Sequence, residues 1–192
     1  IVMAASDESE LVKMINTSVQ INDRPSAFRY PRGNGVGIKI PSINEILKIG
    51  KGRIIKEGKK VALLNFGTRL EECKRASELL LKKGIDITIL DARFAKPLDQ
   101  KLIMEAANNH EVLISIEEGS IGGFGSHVVD FLSKKGLMDA NLKFRSMTLP
   151  DYFIDHDTPD KMYKVANLDS QSIEEKVLDL LNSNIVLQKK NN

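Results

Sequence analysis

Apolar residues follow two different periods between residues 60 and 182. Two runs of strand length, VALLNF (61–66) and VLISIE (112–117), are apolar at most positions. Such strands are typical of a parallel sheet that is buried on both faces. The segments between them repeat apolar residues every three or four positions, as amphipathic helices do. We therefore predict an α/β domain with a mostly parallel sheet and helices on both faces.

Weaker signals place the other elements of this region. Two further strands are predicted, at IDITIL (85–90) and LKFRSMTL (142–149). Five helices are predicted. The first lies between Thr68 and Gly84, the second at about residues 100–108, and the third carries Val128, Val129, Phe131 and Leu132. Thr158 and Pro159 open a short fourth helix, and Asp169 or Ser170 caps the last one. The first and last helices are expected to bury Leu70, Cys73, Ala76, Leu79, Leu80, Ile173, Val177, Leu180 and Leu181.

The first 37 residues follow a separate strand, helix, strand pattern. Ile1–Ala5 and residues 26–30 are the predicted strands, and Asp7 with Glu10 has the spacing of a capping box at a helix start. The inward face of that helix is predicted to carry Leu11, Met14, Ile15 and Val19. A unit of about 40 residues cannot bury its own faces. We therefore expect it to join a sheet whose other strands are absent from this sequence or lie in a partner, and the chain to be part of a larger protein.

Glycines and a Lys-rich run interrupt the pattern between the two regions. Residues 38–59 are predicted to be a linker, with one short strand at the centre of GKGRIIKEGKK (50–60). The second domain is expected to span residues 60–182. The last ten residues, 183–192, are predicted to be a tail that frays at its polar end.

Composition excludes several classes of protein. Hydrophobic residues make up 42% of the 192 positions and charged residues 28%, as in ordinary globular domains. The net charge of +2 comes from interleaved acidic and basic residues, so we expect no nucleic-acid binding. No apolar run has the length of a membrane span, and no membrane association is expected. The single cysteine excludes an internal disulfide and a cysteine-rich metal site.

The segment PSAFRYPRGNGVG (25–37) is the first candidate for a binding site. Pro31 ends the predicted strand, and glycines after it permit a tight turn. Arg29 and Arg32 flank Pro31, and a guanidinium can donate two parallel hydrogen bonds to a phosphate or a carboxylate. A surface loop with two solvated arginines is the alternative interpretation.

Polar residues also collect at the carboxyl ends of the predicted parallel strands, where α/β proteins commonly bind ligands. These residues are Gly67, Thr68, Asp91, Ala92, Arg93, Glu117, Glu118 and Asp151. Glu117 and Glu118 are adjacent on a strand and point to opposite faces, so we do not expect them to meet one substrate. We expect one of them to cap the sheet edge or to meet a partner chain. GSIGGFG (119–125) departs from G-x-G-x-x-G and is interpreted as a tight turn into a helix.

The remaining candidates for chemistry are isolated. His110, His127 and His156 lack the spacing of metal ligands, so each is interpreted as a surface or interface histidine. Cys73 lies on the apolar face of a predicted helix, where a buried, inert thiol is expected. We therefore predict no catalytic residue and no metal ligand in this chain.

Five ordered segments carry a resemblance to a known family: PSAFRYPRGNGVG, VALLNFGTRLEEC, DARFAKPLD, EEGSIGGFGSHVVDFL and LPDYFIDHDTPDKMYKVANLD. From Ile1 to about Leu181, the sequence resembles the C-terminal third of the 1-deoxy-D-xylulose-5-phosphate synthase family, which is transketolase-like. The resemblance implies that residues 1–37 end a pyrimidine-binding domain and that residues 60–182 form a transketolase C-terminal domain.

The resemblance also implies an activity. Enzymes of this family condense pyruvate with glyceraldehyde 3-phosphate, with loss of CO2, as the first step of non-mevalonate isoprenoid synthesis, and their product also supplies thiamine biosynthesis. In the family, thiamine diphosphate and Mg²⁺ lie between an N-terminal diphosphate-binding domain and the central pyrimidine-binding domain. The residues that bind and activate them belong to parts of the family upstream of Ile1, so the isolated chain is expected to bind neither and to be inactive. The expected partners are those missing domains and a second subunit of a homodimer.

For the binding turn, the resemblance implies a substrate phosphate contact by Arg32, with Arg29 as the second choice. The supporting turn would consist of Tyr30, Pro31, Gly33 and Asn34.

The family occurs in plastids (apicoplast or chloroplast) and in the bacterial cytoplasm, which are the compartments expected here. Two other hypotheses stay open. The chain could be a piece of an E1 β-subunit of a 2-oxoacid dehydrogenase, or a non-catalytic assembly module.

Overall fold

The structure is a computed structural model that describes residues 1–42 and 44–190, with side chains as far as residue 182. In chain order, its elements are β1 (Val2–Ala4), α1 (Glu8–Val19), β2 (Ala27–Arg29), β3 (Arg53–Lys56), β4 (Val61–Phe66), α2 (Leu70–Lys82), β5 (Thr88–Asp91), β6 (Phe94–Lys96), α3 (Gln100–Asn109), β7 (Val112–Glu117), α4 (Phe124–Lys134), β8 (Lys143–Met147), α5 (Pro159–Val165) and α6 (Ser170–Lys190).

Five of these strands form the larger sheet, in the order β3-β5-β4-β7-β8. The pairs β4 with β5, β4 with β7 and β7 with β8 are parallel, and only β3 runs antiparallel, at one edge. Helices α3 and α4 pack on one face, and α2 and α6 pack on the other. The predicted α/β fold, with a mostly parallel sheet covered on both faces, is confirmed.

Alternate residues of β4 contribute to two hydrophobic cores, one on each face of the larger sheet. Ala62, Leu64 and Phe66 face the layer of α3 and α4, whereas Val61 and Leu63 face the layer of α2 and α6. The reason is the two-residue period of a strand, which sends successive side chains to opposite faces. All six residues of β4 are buried, and all six of β7 as well. Both strands have the predicted bounds.

The predicted helix faces agree closely with the structure. Of the residues expected to be buried in α2 and α6, all but two are buried, and Leu79 and Leu181 are half-buried. Asp169 Oδ1 accepts a hydrogen bond from the N–H of Ser172, so Asp169 caps α6 as one of the two predicted alternatives.

The β1-α1-β2 unit is present as predicted, with β1 and β2 parallel. The expectation that its other strands lie outside this sequence is wrong for one strand. Strand β6, which follows β5 of the larger sheet in the same chain, pairs antiparallel with β1 and gives a three-stranded sheet in the order β2-β1-β6. β6 is only three residues long and precedes Pro97, so it lacks the apolar run by which the other strands were recognised.

Helix α1 begins at the predicted cap but buries less than predicted. Asp7 Oδ1 accepts a hydrogen bond from the N–H of Glu10 at 2.8 Å. Met14 is fully buried, whereas Ile15 is 41% and Val19 74% exposed. The prediction of an inward face that includes Ile15 and Val19 is wrong because the three-residue strands beside α1 are too short to cover its whole length.

The predicted linker and tail both contain regular structure. β3 is the short strand predicted within residues 38–59, and it forms one edge of the larger sheet, with β8 at the other edge. Helix α6 extends to Lys190, so the backbone of residues 183–190 is helical rather than frayed, as a run without Gly or Pro allows. Asn191 and Asn192 lie outside the described residues. No helix in the described part of the chain combines the length and the apolar character that crossing a membrane requires.

Candidate functional site

An open cleft of about 1060 Å³ lies between the turn after β2 and the segment that joins β8 to α5. The turn contributes Pro31 and Arg32, and the opposite wall includes Tyr152, Phe153 and His156. Phe153 is fully exposed and Tyr152 is 60% exposed, so this wall presents aromatic surface to solvent. The cleft therefore combines one guanidinium and one imidazole with mainly apolar walls.

Arg32 is the cationic side chain at the mouth of this cleft. The turn reaches this place because β2 pairs with β1 up to Arg29 and Pro31 cannot continue the ladder. Arg32 is exposed, and none of the described residues forms a hydrogen bond or an ion pair with it. Its five N–H donors are therefore available to a ligand.

Arg29 is used differently. Its Nη2 donates a hydrogen bond to the carbonyl of Phe66 at 3.2 Å, and its guanidinium lies 5.4 Å from the centre of the Phe66 ring. That ring stacks on Phe124 with 4.6 Å between the centroids. Arg29 therefore ties β2 to the end of β4, while Arg32, three residues later, lines the cleft.

The other residues predicted for the supporting turn are all exposed. The rings of Tyr30 and Phe28 lie 6.3 Å apart, and Pro31 lines the cleft. Gly33 has room for a larger side chain, since nothing lies within 4 Å of the position that a Cβ would occupy. Asn34 makes no contact that the described residues show. The backbone geometry therefore does not require glycine at position 33.

Glu117 fills the amino end of α4. Its carboxylate accepts hydrogen bonds from the N–H groups of Phe124, at 3.0 Å, and of Gly125, at 2.8 Å. An anion is stabilised there by the unpaired N–H groups and by the helix dipole. Glu117 therefore caps a helix, and the expectation that one glutamate of the pair caps a sheet edge or meets a partner stays a prediction for Glu118. The position of Glu117 just before a glycine-rich turn into a helix was the signal for this role.

Glu118 takes part in a separate group beside the cleft. It accepts hydrogen bonds from Thr68 Oγ1 and from Arg69 Nε, the latter at 2.8 Å. The guanidinium of Arg69 lies 3.5 Å from the centre of the Tyr163 ring, and Tyr163 lines the cleft. Burial, together with the charge of Glu118, raises the pKa of Tyr163 to about 12. Tyr163 is therefore a neutral hydrogen-bonding group at physiological pH.

The polar residues at the carboxyl end of β5 and just after it join the two sheets instead of lining the cleft. Asp91 accepts hydrogen bonds from Ser6 Oγ at 2.8 Å and from Arg53 Nε at 3.0 Å. Burial raises the pKa of Asp91, and the charge of Arg53 opposes this effect. Arg93 binds Glu10 of α1. The sequence did not reveal these pairs, because 38 to 85 residues separate the partners.

The histidines and the cysteine lie apart, as predicted. His110 contacts Thr88 Oγ1 and the carbonyl of Ala106, His127 is exposed on α4, and His156 lines the cleft. Within residues 1–42 and 44–190, no group of His, Cys, Asp and Glu side chains could hold a metal ion. Cys73 is fully buried and burial raises its pKa, which confirms the predicted buried thiol.

Comparison with known proteins identifies the family. Residues 50–173 match the family described as transketolase, C-terminal domain. This match spans more than half of the chain, and the protein therefore belongs to the transketolase C-terminal domain family.

Two solved structures share the fold. An inactive β4 tetramer of a split-gene transketolase superposes with a TM-score of 0.79 at 23% identity, and the match covers 94% of this chain and 57% of that one. A mutant transketolase from Pichia stipitis gives a TM-score of 0.69 at 11% identity, and this match covers 94% of this chain and 25% of that one. This chain thus spans about half of the first protein and a quarter of the second.

Proposed function

We propose that this chain is the C-terminal part of a 1-deoxy-D-xylulose-5-phosphate synthase, a thiamine diphosphate enzyme that condenses pyruvate with glyceraldehyde 3-phosphate and releases CO2. Residues 1–37 would end its pyrimidine-binding domain, and residues 60–182 would be its C-terminal domain. The family match and the five ordered sequence segments support this proposal. The observation that carries it is the exposed Arg32 at the mouth of the cleft, with which none of the described residues forms a hydrogen bond or an ion pair.

Arg32 has the chemistry to bind the phosphate of the aldehyde. A guanidinium matches two phosphate oxygens with two parallel N–H donors, and it stays charged at any physiological pH. Asp157 also lines the cleft, but it forms an ion pair with Lys161 at 3.1 Å and does not neutralise Arg32. Arg29 already donates to the carbonyl of Phe66, which favours Arg32 as the main contact.

The cofactor belongs elsewhere in such an enzyme. Thiamine diphosphate, with Mg²⁺, supplies the carbanion chemistry when it is bound. The described residues of this chain do not fit that group: the carboxylate of Glu117 already occupies the amino end of α4, and no cluster of side chains suits a metal ion. We therefore assign substrate binding and domain packing to this chain, and we assign the residues that bind the cofactor to other parts of the enzyme.

Assembly is the other part of the proposal. The enzyme would be a homodimer, and one structural relative is described as a tetramer of β-subunits. The β-α-β unit at the start of the chain has only three strands in its sheet, which is consistent with further strands from the rest of a pyrimidine-binding domain.

An activity assay of the full-length protein tests this function. With thiamine diphosphate and Mg²⁺ present, CO2 release from pyruvate is measured with glyceraldehyde 3-phosphate, with unphosphorylated glyceraldehyde, and with a lipoyl domain as acceptors. The proposal predicts fast release with the phosphorylated aldehyde and formation of a five-carbon ketose phosphate. Release only with the lipoyl domain would instead support an E1 β-subunit-like piece. A protein that binds the cofactor but consumes no pyruvate would support an assembly module.

A further inference from the structure

The turn that carries Arg32 is tied to helix α1 through the carboxylate of Glu8. Three consecutive backbone N–H groups converge on this carboxylate. Val36 donates to Oε2 at 3.0 Å, Gly37 to Oε1 at 2.6 Å and Ile38 to Oε1 at 2.8 Å. Successive N–H groups that surround one anion form a nest, the same arrangement by which loops hold phosphate groups.

Two glycines permit this nest. A Cβ at Gly35 would lie 2.7 Å from the Glu8 carboxyl group, and Gly37 has a φ of +86°. A larger residue at position 35 would displace the carboxylate, and one at position 37 would adopt a strained backbone. Glu8 itself is fixed because it lies in the first turn of α1, next to the cap residue Asp7.

These three bonds are the only hydrogen bonds that residues 31–38 form within the part of the chain that the structure describes. All eight residues are exposed, although Val36 and Ile38, at 54% and 37%, still pack partly against the rest of the chain. At its start the turn is fixed by the pairing of β2 with β1. Without Glu8, the next contacts with α1 among the described residues would be those of Glu45 and Leu47, so residues 31–38 would have no hydrogen bond of their own.

The bonds also stabilise the charged form of Glu8. Its own backbone N–H, followed by those of Ile38, Val36 and Gly37, lowers the pKa of its carboxyl group. The nest is therefore held by a carboxylate, whose hydrogen bonds are stronger than those of a neutral acceptor.

We propose that Glu8 is a positioning residue for the phosphate site: it holds the nest at residues 36–38 and thereby keeps Arg32 at the mouth of the cleft. This role rests on the proposed function, because the phosphate of the aldehyde is the ligand that Arg32 would bind. Glu8 does not touch the substrate itself. It determines how well the enzyme distinguishes a phosphorylated aldehyde from its unphosphorylated parent.

Steady-state kinetics of the full-length enzyme test this role, because the KM values for the two substrates can be compared in each variant. Glu8→Ala should raise KM for glyceraldehyde 3-phosphate about tenfold, as expected when one charge-assisted hydrogen bond to the phosphate is lost or misaligned. KM for pyruvate should not change. Glu8→Gln keeps one acceptor oxygen and should give a smaller increase. Glu57→Ala is the matched control, since Glu57 is exposed and makes no contact that the described residues show.

A double mutant separates positioning from direct binding. If Glu8 acts through Arg32, Glu8→Ala should add nothing to the KM of Arg32→Ala. A full additional increase would overturn the positioning role. A decrease of KM in Glu8→Ala would overturn it as well, because the freed N–H groups would then be binding the phosphate themselves.

The hydrogen bonds can be measured without any activity. In NMR spectra of the 192-residue chain, Glu8→Ala should shift the amide protons of Val36, Gly37 and Ile38 upfield and speed their exchange with solvent. If these signals change and Arg32→Ala raises KM but Glu8→Ala does not, only the role of Glu8 is wrong. If Arg32→Ala leaves KM unchanged, the phosphate contact of the proposed function is wrong and the positioning role falls with it.

Discussion

Arg93 and Glu10 form a two-pronged ion pair between the two sheets of the chain. Arg93 Nε lies 2.6 Å from Oε2 of Glu10, and Nη2 lies 2.8 Å from Oε1. The Glu10 side chain is fully buried. Arg53 Nη1 contacts the same carboxylate at 3.1 Å. A glutamate of helix α1 is thus held by one arginine from β3 and one that follows β5, and this contact fixes the β-α-β unit on the larger domain.

Glu10→Gln should destabilise the chain by about 3 kcal/mol, because it removes the charge from a buried pair and leaves Arg93 without its ionised partner, whereas Arg53 keeps Asp7 and Asp91. Urea unfolding measures this change. The control is Lys101→Ala, which breaks the exposed pair between Lys101 and Glu105 at 3.7 Å and should cost less than about 0.5 kcal/mol. Equally small losses of stability from both changes would show that the Glu10 contact does not hold the β-α-β unit on the larger domain.

Glu117→Ala should destabilise the chain by about 2 kcal/mol, since it removes the carboxylate that satisfies two N–H groups at the start of α4. Glu117→Gln keeps one acceptor and should cost about half as much. Unfolding in urea is again the measurement, with the exposed Glu105→Gln on α3 as control. If Glu117→Ala is as stable as that control, the amino end of α4 does not depend on an internal anion.

Strands that are apolar at most positions were predictable, and contacts between distant segments were not. β4 and β7 have their predicted bounds because a strand buried on both faces leaves a continuous apolar run. β6 was missed since its three residues pair with β1, about 90 residues earlier in the chain, and no local pattern encodes that pairing.

The sequence showed which residue types form the turn at the cleft. It did not show the hydrogen bonds that attach this turn to the rest of the chain. Two arginines beside a proline and several glycines indicated an anion-binding turn, and the structure places one of them in a cleft. The sequence could not separate Arg29 from Arg32, because the partner of Arg29 is a backbone carbonyl 37 residues away. The role of Glu8 was equally hidden, since its three donors lie 28 to 30 residues later.

The stability of the chain should fall as the pH rises from about 10 to about 12, partly because of Tyr163. The pKa of this phenol is raised from its ordinary value of 10 to about 12 in the folded chain. Between these values the folded state binds more protons than the unfolded state, so the free energy of unfolding decreases with rising pH. Burial raises the pKa of the Cys73 thiol, which acts in the same direction.

Tyr163→Phe should reduce this dependence on pH. The measurement is the free energy of unfolding of both proteins between pH 8 and pH 11, which separates the slope from any change in stability at neutral pH. The variant should lose less stability over that interval than the unaltered chain. Parallel curves would show that Tyr163 ionises alike in the folded and unfolded states.

Arg29→Ala should destabilise the chain by about 1 to 2 kcal/mol, because it removes a hydrogen bond to the Phe66 carbonyl and a cation-π contact with the Phe66 ring. Arg24→Ala is the control. Arg24 is exposed, and among the described residues its one ion-pair partner is the adjacent Asp23, so its removal should leave the melting temperature unchanged. A stability of Arg29→Ala equal to that of the control would mean that Arg29 is not an anchor.

The most direct test concerns Arg32 in the full-length enzyme. Arg32→Ala should raise KM for glyceraldehyde 3-phosphate about 10- to 100-fold, since a charge-assisted hydrogen bond to phosphate is worth about 1.5 to 3 kcal/mol. KM for pyruvate should stay within about twofold, because pyruvate carries no phosphate. Arg32→Lys should have a KM for glyceraldehyde 3-phosphate between those of Arg32→Ala and the unaltered enzyme, because lysine keeps the charge but loses the two-pronged geometry.

Thermal unfolding should show Arg32→Ala to be as stable as the unaltered protein, because none of the described residues binds this side chain. The measurement that decides is therefore the ratio of the two KM changes in Arg32→Ala, with Arg24→Ala as control. The expected result is a large increase of KM for the phosphorylated aldehyde, with KM for pyruvate nearly unchanged. Equal changes for both substrates, or none for either, would contradict the assignment of Arg32 as the phosphate-binding residue.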